Sequence, residues 1–173
     1  MYLPRMSDGK KLVPTGRWFD EFSLGQSIES AGRTVTESDV ASFAGLSGDF
    51  NPIHIDAEHA RRSVFRQRIA HGLLVESIAS GLAHGTGIFE GTISALAEIE
   101  IQFRKPVFFG DTVRLLLKVT DIDDKPGPKR GYICFSTTVT NQSGEIVIEG
   151  SWKVIFLRDR NRGTLISNAK DSQ

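Results

Sequence analysis

Cysteine is nearly absent from this chain of 173 residues: Cys134 is the only one, so neither an internal disulfide framework nor a cysteine-based zinc cluster can form. A reducing compartment is the default for such a chain, and the expectation is a cytoplasmic protein. An excess of either charge is also lacking. The 21 Lys and Arg residues stand against 21 Asp and Glu, for a formal net charge of zero. The long-range field that would hold a polyanion is missing, and nucleic acid is not an expected partner. Nowhere do about 18 apolar residues run without interruption, as a membrane-crossing helix requires. Met1–Lys11 is followed by no apolar run or small-residue cleavage site of the kind that marks a secretion signal. A soluble chain with no membrane partner follows. No internal repeat is present, and no H-x-x-x-H or carboxylate cluster has metal-binding spacing, so no metal is expected.

What is present is ordinary for a packed globular domain. Hydrophobic residues make up 39% and charged residues 24% of the chain, too apolar for disorder, and the length suits one domain that removes roughly 70% of its unfolded surface from water. The pattern divides into an N-terminal extension 1–16, a domain 17–157 and a polar tail 158–173. Residues 34–46 carry Thr36 as a cap, Asp39 three positions on, and Val40, Phe43 and Ala44 at helical spacing, which predicts a short amphipathic helix. Ser47 to Asp56, with Gly48, Asn51 and Pro52, reads as a turn or irregular loop. Residues 57–70, with four arginines, read as a short exposed helix and a surface excursion. His71 to His84 is apolar almost all round and predicts a helix buried against a sheet. Period-two alternation then sets in. Ala97, Ile99, Ile101 and Phe103 form one such run and Val113, Leu115, Leu117 and Val119 the next; strands 132–140 and 146–157 follow, joined by a turn at Asn141–Gly144. The class is α+β, with an antiparallel sheet covering one long apolar helix.

Ser47–Asp56 is also where chemistry is concentrated. Asp49, Asn51 and His54 put a carboxylate, an amide and an imidazole on a short segment stiffened by Pro52. A carboxylate and a neutral imidazole facing one small volume can share a water, one orienting and deprotonating it while the other handles a second proton. That is hydration chemistry, and it needs no metal if the substrate's own carbonyl makes the neighbouring carbon electrophilic. The enolate oxygen then needs a donor. His71-Gly72 offers one: the first N–H groups of a helix have no intrahelical partner and sit at the positive end of its dipole, and glycine admits close approach.

The runs FAGLSGDFNPIHID, IAHGLLVESIASGL and IQFRKPVFFGDTV resemble the MaoC-like hydratases, or (R)-specific enoyl-CoA hydratases, of the hot-dog superfamily. The similarity covers about residues 18–156, and D-x-N-P-[IL]-H followed by H-G is its specific element. The resemblance implies a long helix wrapped by a curved antiparallel sheet in a single hot-dog domain. It implies a homodimer, or a higher even-numbered homo-oligomer, with composite sites. It also implies reversible syn addition of water to trans-2-enoyl thioesters, giving (R)-3-hydroxyacyl products. Position by position, Asp49 and His54 match the catalytic pair and Gly72 the oxyanion-binding N–H. Asn51, which orients the loop, and Ser80, a pocket residue near the pair, complete the substrate-binding set. No cofactor is implied, since the coenzyme A thioester is the substrate.

Plainer readings stand beside these. Asp49 can simply cap a turn and His54 sit satisfied in the core; Gly72 can serve tight packing; Ser80, at helical spacing, reads as a small packing residue. Phe103, Val107, Phe108 and Phe109 read as sheet core, and Cys134 as an inert mid-strand hydrophobe. The arginines Arg61, Arg62, Arg66 and Arg68, with Arg104-Lys105 and Lys129-Arg130, are candidates for one or two contacts to coenzyme A phosphates. An acyl carrier protein substrate, a thioesterase that cleaves the acyl–sulfur bond, and a non-catalytic acyl-thioester-binding subunit are the alternatives.

Overall fold

A computed structural model describes residues 15–125 and 127–159. The expected extension 1–16 and tail 158–173 lie, apart from residues 15–16 and 158–159, outside the described residues.

Local rules account for the helices. Helix α1 (Glu37–Ser47) starts where Thr36 and Asp39 exchange a capping box: the Thr36 hydroxyl accepts the Asp39 N–H at 3.1 Å, and the Asp39 carboxylate accepts the Thr36 N–H at 2.9 Å. It stops at Gly48, whose φ of 78° only glycine adopts without strain. The stretch expected to be wholly irregular contains a four-residue helix, α2 (Pro52–Ile55). Pro52 occupies its first position, where a missing N–H is no loss, and the Asn51 side-chain oxygen accepts the Ile53 N–H at 3.3 Å. Helix α3 (Ala57–Arg62) is capped by Asp56 and buries only Ala60. Helix α4 (Gly72–Gly85) is the long apolar helix. It buries Leu74, Val75, Glu76, Ile78, Ala79 and Ala83, but leaves a stripe of Leu73, Ser77, Ser80, Gly81 and His84 exposed. The expected helix buried against a sheet is present, and because it lies on one sheet face it covers only the side that meets the sheet.

Strands β1 (Ser27–Glu29), β2 (Arg33–Thr34), β3 (Ile93–Phe103), β4 (Thr112–Asp123), β5 (Arg130–Thr140) and β6 (Ile146–Leu157) form one antiparallel sheet in the order β1-β4-β5-β6-β3, with β2 also on β4. The alternation read in the sequence becomes burial on β4 and β5, where Val113, Leu115, Leu117 and Val119 and then Ile133, Phe135 and Val139 point into the core. On β3 it does not. That strand pairs only with β6 among the described residues, and Ile99 and Phe103 are exposed with Leu96 beside them. Phe22, Phe89, Phe135 and Phe156 form an aromatic cluster with centroids 4.6 to 6.3 Å apart. Full burial of each such ring is worth about 1.5–3 kcal/mol. One carboxylate enters this interior. Glu76 accepts a hydrogen bond from the Trp152 indole N–H at 2.7 Å, and burial raises its pKa.

This is the α+β hot-dog arrangement. Among the described residues no helix is long and apolar enough to cross a membrane.

Candidate active site

Three short segments meet at the N-terminus of α4. The first is the turn after α1. Beyond Gly48 the backbone reverses, the Asp49 N–H reaches the Ser47 hydroxyl at 3.2 Å, and the Asp49 Oδ1 accepts the Asn51 N–H at 3.2 Å. One carboxylate oxygen is thus held in the turn, and a side chain that is 53% exposed is left to offer the other.

The second segment is α2, which carries His54 inward until only 7% of it is exposed. His54 Nδ1 lies 2.8 Å from the Ile69 carbonyl oxygen, and the Ile69 N–H returns a bond to the Ile53 carbonyl at 3.2 Å. A carbonyl only accepts, so the Nδ1 position bears the proton and Nε2 keeps its lone pair. Burial is the largest influence on this ring and lowers its pKa; the Ile69 carbonyl and Asp49 act in the opposite direction, and His71 adds to the lowering. The neutral, proton-accepting form is the favoured one.

The third segment is Ile69–Gly72. The Ala70 N–H bonds to the Val107 carbonyl at 2.8 Å, and the chain then enters α4. His71 is 3% exposed, its Nε2 lies 2.9 Å from the Asp49 backbone carbonyl oxygen, and its ring stacks on His54 with centroids 3.8 Å apart. Although it is the N-cap residue, it makes no capping bond. The Gly72 N–H that follows has no partner among the described residues.

These groups line a cavity of about 620 Å³ whose walls include Asp49, His54, His71 and Gly72 with Phe43, Phe65, Val75, Phe103, Val107 and Ile148. A carboxylate oxygen of Asp49 and one ring nitrogen each of His54 and His71 lie within 4.8 Å of one another. A water at hydrogen-bond distance from two acceptors at a tetrahedral angle spans about 4.6 Å, so the separation suits one shared water. The same three side chains are of metal-ligating type, yet they fit an ion poorly. One nitrogen of each ring already faces a carbonyl, and the ring planes stack only 28° apart. Their in-plane lone pairs run side by side and do not converge at the roughly 2.0–2.1 Å of a zinc–imidazole bond.

Of the sequence-derived candidates, Asp49, His54 and Gly72 come together at this cavity. Asn51 is exposed and turned to the loop: its oxygen caps α2 and its N–H holds Asp49, so it touches the site through Asp49. Ser80 is exposed on the open stripe of α4, two turns beyond the cavity, and lines no part of it in this chain. Phe103, expected in the core, is 54% exposed and packs on Gly72, where an added Cβ would come within 2.6 Å of its ring. The packing reading of Gly72 therefore holds alongside its place at the cavity. Arg104 and Lys105 reach the cavity wall while paired with Glu149 at 2.8 Å and Glu145 at 2.5 Å. Arg68 is paired with Glu37 and lies over the Phe109 ring, and Arg61 is paired with Glu58. The residue that sequence reasoning missed is His71. In the sequence it stands only as the neighbour of Gly72, and nothing in its spacing announces a ring stacked on His54.

Known proteins resemble this chain in sequence and in fold. The family model described as a MaoC like domain matches residues 21–141. An (R)-specific enoyl-CoA hydratase of Rhodospirillum rubrum is 37% identical over 138 residues, covering 80% of this chain and 90% of the relative. A mitochondrial 3-hydroxyacyl-[acyl-carrier-protein] dehydratase of Arabidopsis thaliana is 32% identical over 119 residues, covering 67% of this chain and 66% of that one. A solved structure from Archaeoglobus, described as a monoamine oxidase regulatory protein, superposes with a TM-score of 0.77 at 34% identity, over 83% of this chain and 96% of its own.

Proposed function

This chain belongs to the MaoC-like domain family, and on that premise we propose that it is a cytoplasmic hydro-lyase that adds water reversibly and with syn geometry to trans-2-enoyl-CoA thioesters, giving (R)-3-hydroxyacyl-CoA. One observation supports the reading above the others: a carboxylate oxygen of Asp49 and a ring nitrogen of His54 lie within 4.8 Å of each other on the wall of a largely apolar cavity. Asp49 orients the water, and His54, neutral and with Nε2 free, takes its proton as the oxygen bonds to C3 of the enoyl group. Charge moves to the thioester oxygen, which the Gly72 N–H holds, and the proton returns to C2 on the same face. The pair ends as it began. A positioned acid or base is worth roughly 10²–10⁴ in rate, and one oxyanion donor about 3–4 kcal/mol of barrier.

Arg104 and Lys105, at the cavity wall, are the residues we assign to the phosphates of the carrier. The site is completed by a second copy of the chain, a proposal supported by the edge of β3, which is unpaired among the described residues, and by the open stripe on α4. The second reading, a carrier-protein-linked substrate with dehydration as the working direction, is favoured by the likeness to the Arabidopsis relative. The test is a panel of enoyl thioesters on coenzyme A and on acyl carrier protein, varied in length and branching and followed by loss of the conjugated thioester absorbance. Hydration of crotonyl-CoA that disappears in His54→Ala is the expected result. Release of free thiol without hydration would replace this reading with a thioesterase.

A further inference from the structure

We propose that His71 is a positioning residue that holds the two halves of the water site and the oxyanion donor in register. The proposal rests on the reading of Asp49 and His54 as the pair that grips water. Three observations carry it. The Nε2 of His71 lies 2.9 Å from the Asp49 backbone carbonyl oxygen, which ties the turn 48–51 to the start of α4 across 22 residues of sequence. Its ring stacks on His54 with centroids 3.8 Å apart and meets Phe43 in a tilted contact at 5.1 Å, so the His54 ring packs against a side chain that is itself held. Its remaining nitrogen, Nδ1, is buried with no hydrogen-bond partner among the described residues.

The tautomer follows from these contacts. The Asp49 carbonyl only accepts, and a proton on Nδ1 would meet no acceptor, so His71 carries its N–H on Nε2. His54 carries its own on Nδ1, toward Ile69. The two stacked rings therefore hold opposite tautomers, each fixed by a backbone carbonyl, and the nitrogen left free on His54 is the one the reaction uses. As the N-cap of α4, His71 directly precedes Gly72, so the bond that fixes its side chain on the Asp49 carbonyl also fixes where the Gly72 N–H stands at the start of the helix. One residue thus sets the positions of three groups without needing to touch substrate.

Two substitutions separate the parts of this role. His71→Gln keeps an N–H donor near the place of Nε2 and loses the ring; His71→Phe keeps a ring to stack and loses the donor. His71→Phe should lower kcat about 100-fold, the size of loss a displaced catalytic group produces, with KM changed by no more than about threefold. His71→Gln should recover activity to within about tenfold of wild type. Nitrogen-15 spectra of the imidazoles in wild-type protein should show the Nε2–H tautomer at His71 and the Nδ1–H tautomer at His54, and in His71→Phe the His54 titration should move. Equal loss in both variants, or a His71→Phe enzyme within about threefold of wild type, overturns the proposal, as does an Nδ1–H tautomer at His71. If His71→Phe does not fold, the wild-type spectrum decides. If wild-type protein hydrates no enoyl thioester, the functional reading falls, while the tautomers and the His54 titration still decide whether His71 sets this register.

Discussion

If Asp49 and His54 grip one water between them, removing either should cost nearly as much as removing both. The structure supplies substitutions that isolate chemistry from folding. In Asp49→Asn the amide oxygen can still accept the Asn51 N–H that now reaches Oδ1 at 3.2 Å, and the side chain is 53% exposed, so stability should stay within about 0.5 kcal/mol of wild type. In His54→Asn the amide nitrogen falls near the place of Nδ1 and can still donate to the Ile69 carbonyl now 2.8 Å away, while the Nε2 position is deleted. Each single variant loses one positioned proton-transfer partner, about 10²–10⁴ in kcat, equivalent to roughly 2.7–5.5 kcal/mol of barrier. Groups that act as a unit are strongly non-additive. The double variant should therefore lie within about tenfold of the slower single one, whereas independent groups would multiply their losses to about 10⁴–10⁸. The assay is initial-rate hydration of crotonyl-CoA by the four proteins at matched pH, with chemical denaturation to confirm equal folding. Multiplicative losses, or an Asp49→Asn enzyme within tenfold of wild type, would refute the shared-water argument.

Because burial lowers the pKa of His54 below its ordinary 6.5, its base form persists into more acid solution, and the acid limb of kcat/KM should lie below pH 6.5; a limb above 6.5 contradicts the assignment. The same shift means that the folded chain binds fewer protons at this ring than the unfolded one, so this contribution to stability is present above pH 6.5 and is lost as the pH falls through the folded value. For Glu76 the sign is opposite: burial raises its pKa, so the ionised carboxylate weakens the fold at neutral pH and protonation relieves it. Glu76→Gln, which keeps an acceptor for the Trp152 N–H, should be more stable than wild type at pH 7.5, by a margin that narrows on acidification in urea titrations. Thr36→Ala removes a capping box and should cost about 1 kcal/mol with kcat unchanged. Ile99→Lys places a charge on the open β3 edge and should shift the protein toward monomer in sedimentation velocity.

Where a feature depends on near neighbours in the chain, the residues alone were enough to read it. The Thr36–Asp39 cap, the Gly48 stop, the apolar run of α4 and the period-two strands β4 to β6 are of this kind. So was the candidate pair, because Pro52 and the Asx turn at Asp49 hold the six residues from Asp49 to His54 in one compact shape. Strands β1 and β2 are two or three residues long and have no period to detect. For β3 the alternation correctly signalled a strand but misjudged its surroundings, since a pattern along one strand cannot say whether the neighbouring layer lies in the same chain. Ser80 stands off the cavity of this chain for a related reason: the apolar run marks its helix, but which stripe of that helix meets the sheet is a property of the packing. His71 needed three segments separated by up to 28 residues of sequence, from Phe43 to His71, before its contacts had meaning.

The departures from local rules are not scattered. Helix α4 begins without a cap, which costs about 1 kcal/mol against Ser or Asp. His71 buries a nitrogen with no partner among the described residues, which carries a further penalty of about 1–3 kcal/mol. Both fall on one residue, and set against a net stability of about 5–15 kcal/mol for a domain they are a large fraction of the whole. A serine at position 71 would cap the helix at the N–H of Leu73 or Leu74 and remove the buried nitrogen, but it would also release the Asp49 carbonyl and leave His54 without a stacking partner. The same side chain thus weakens the fold locally and joins three groups around a cavity that shape alone would not bring into register. Local cost concentrated in this way is what a site held for chemistry predicts, and it marks the α4 N-terminus independently of the motif spacing at Asp49 and His54.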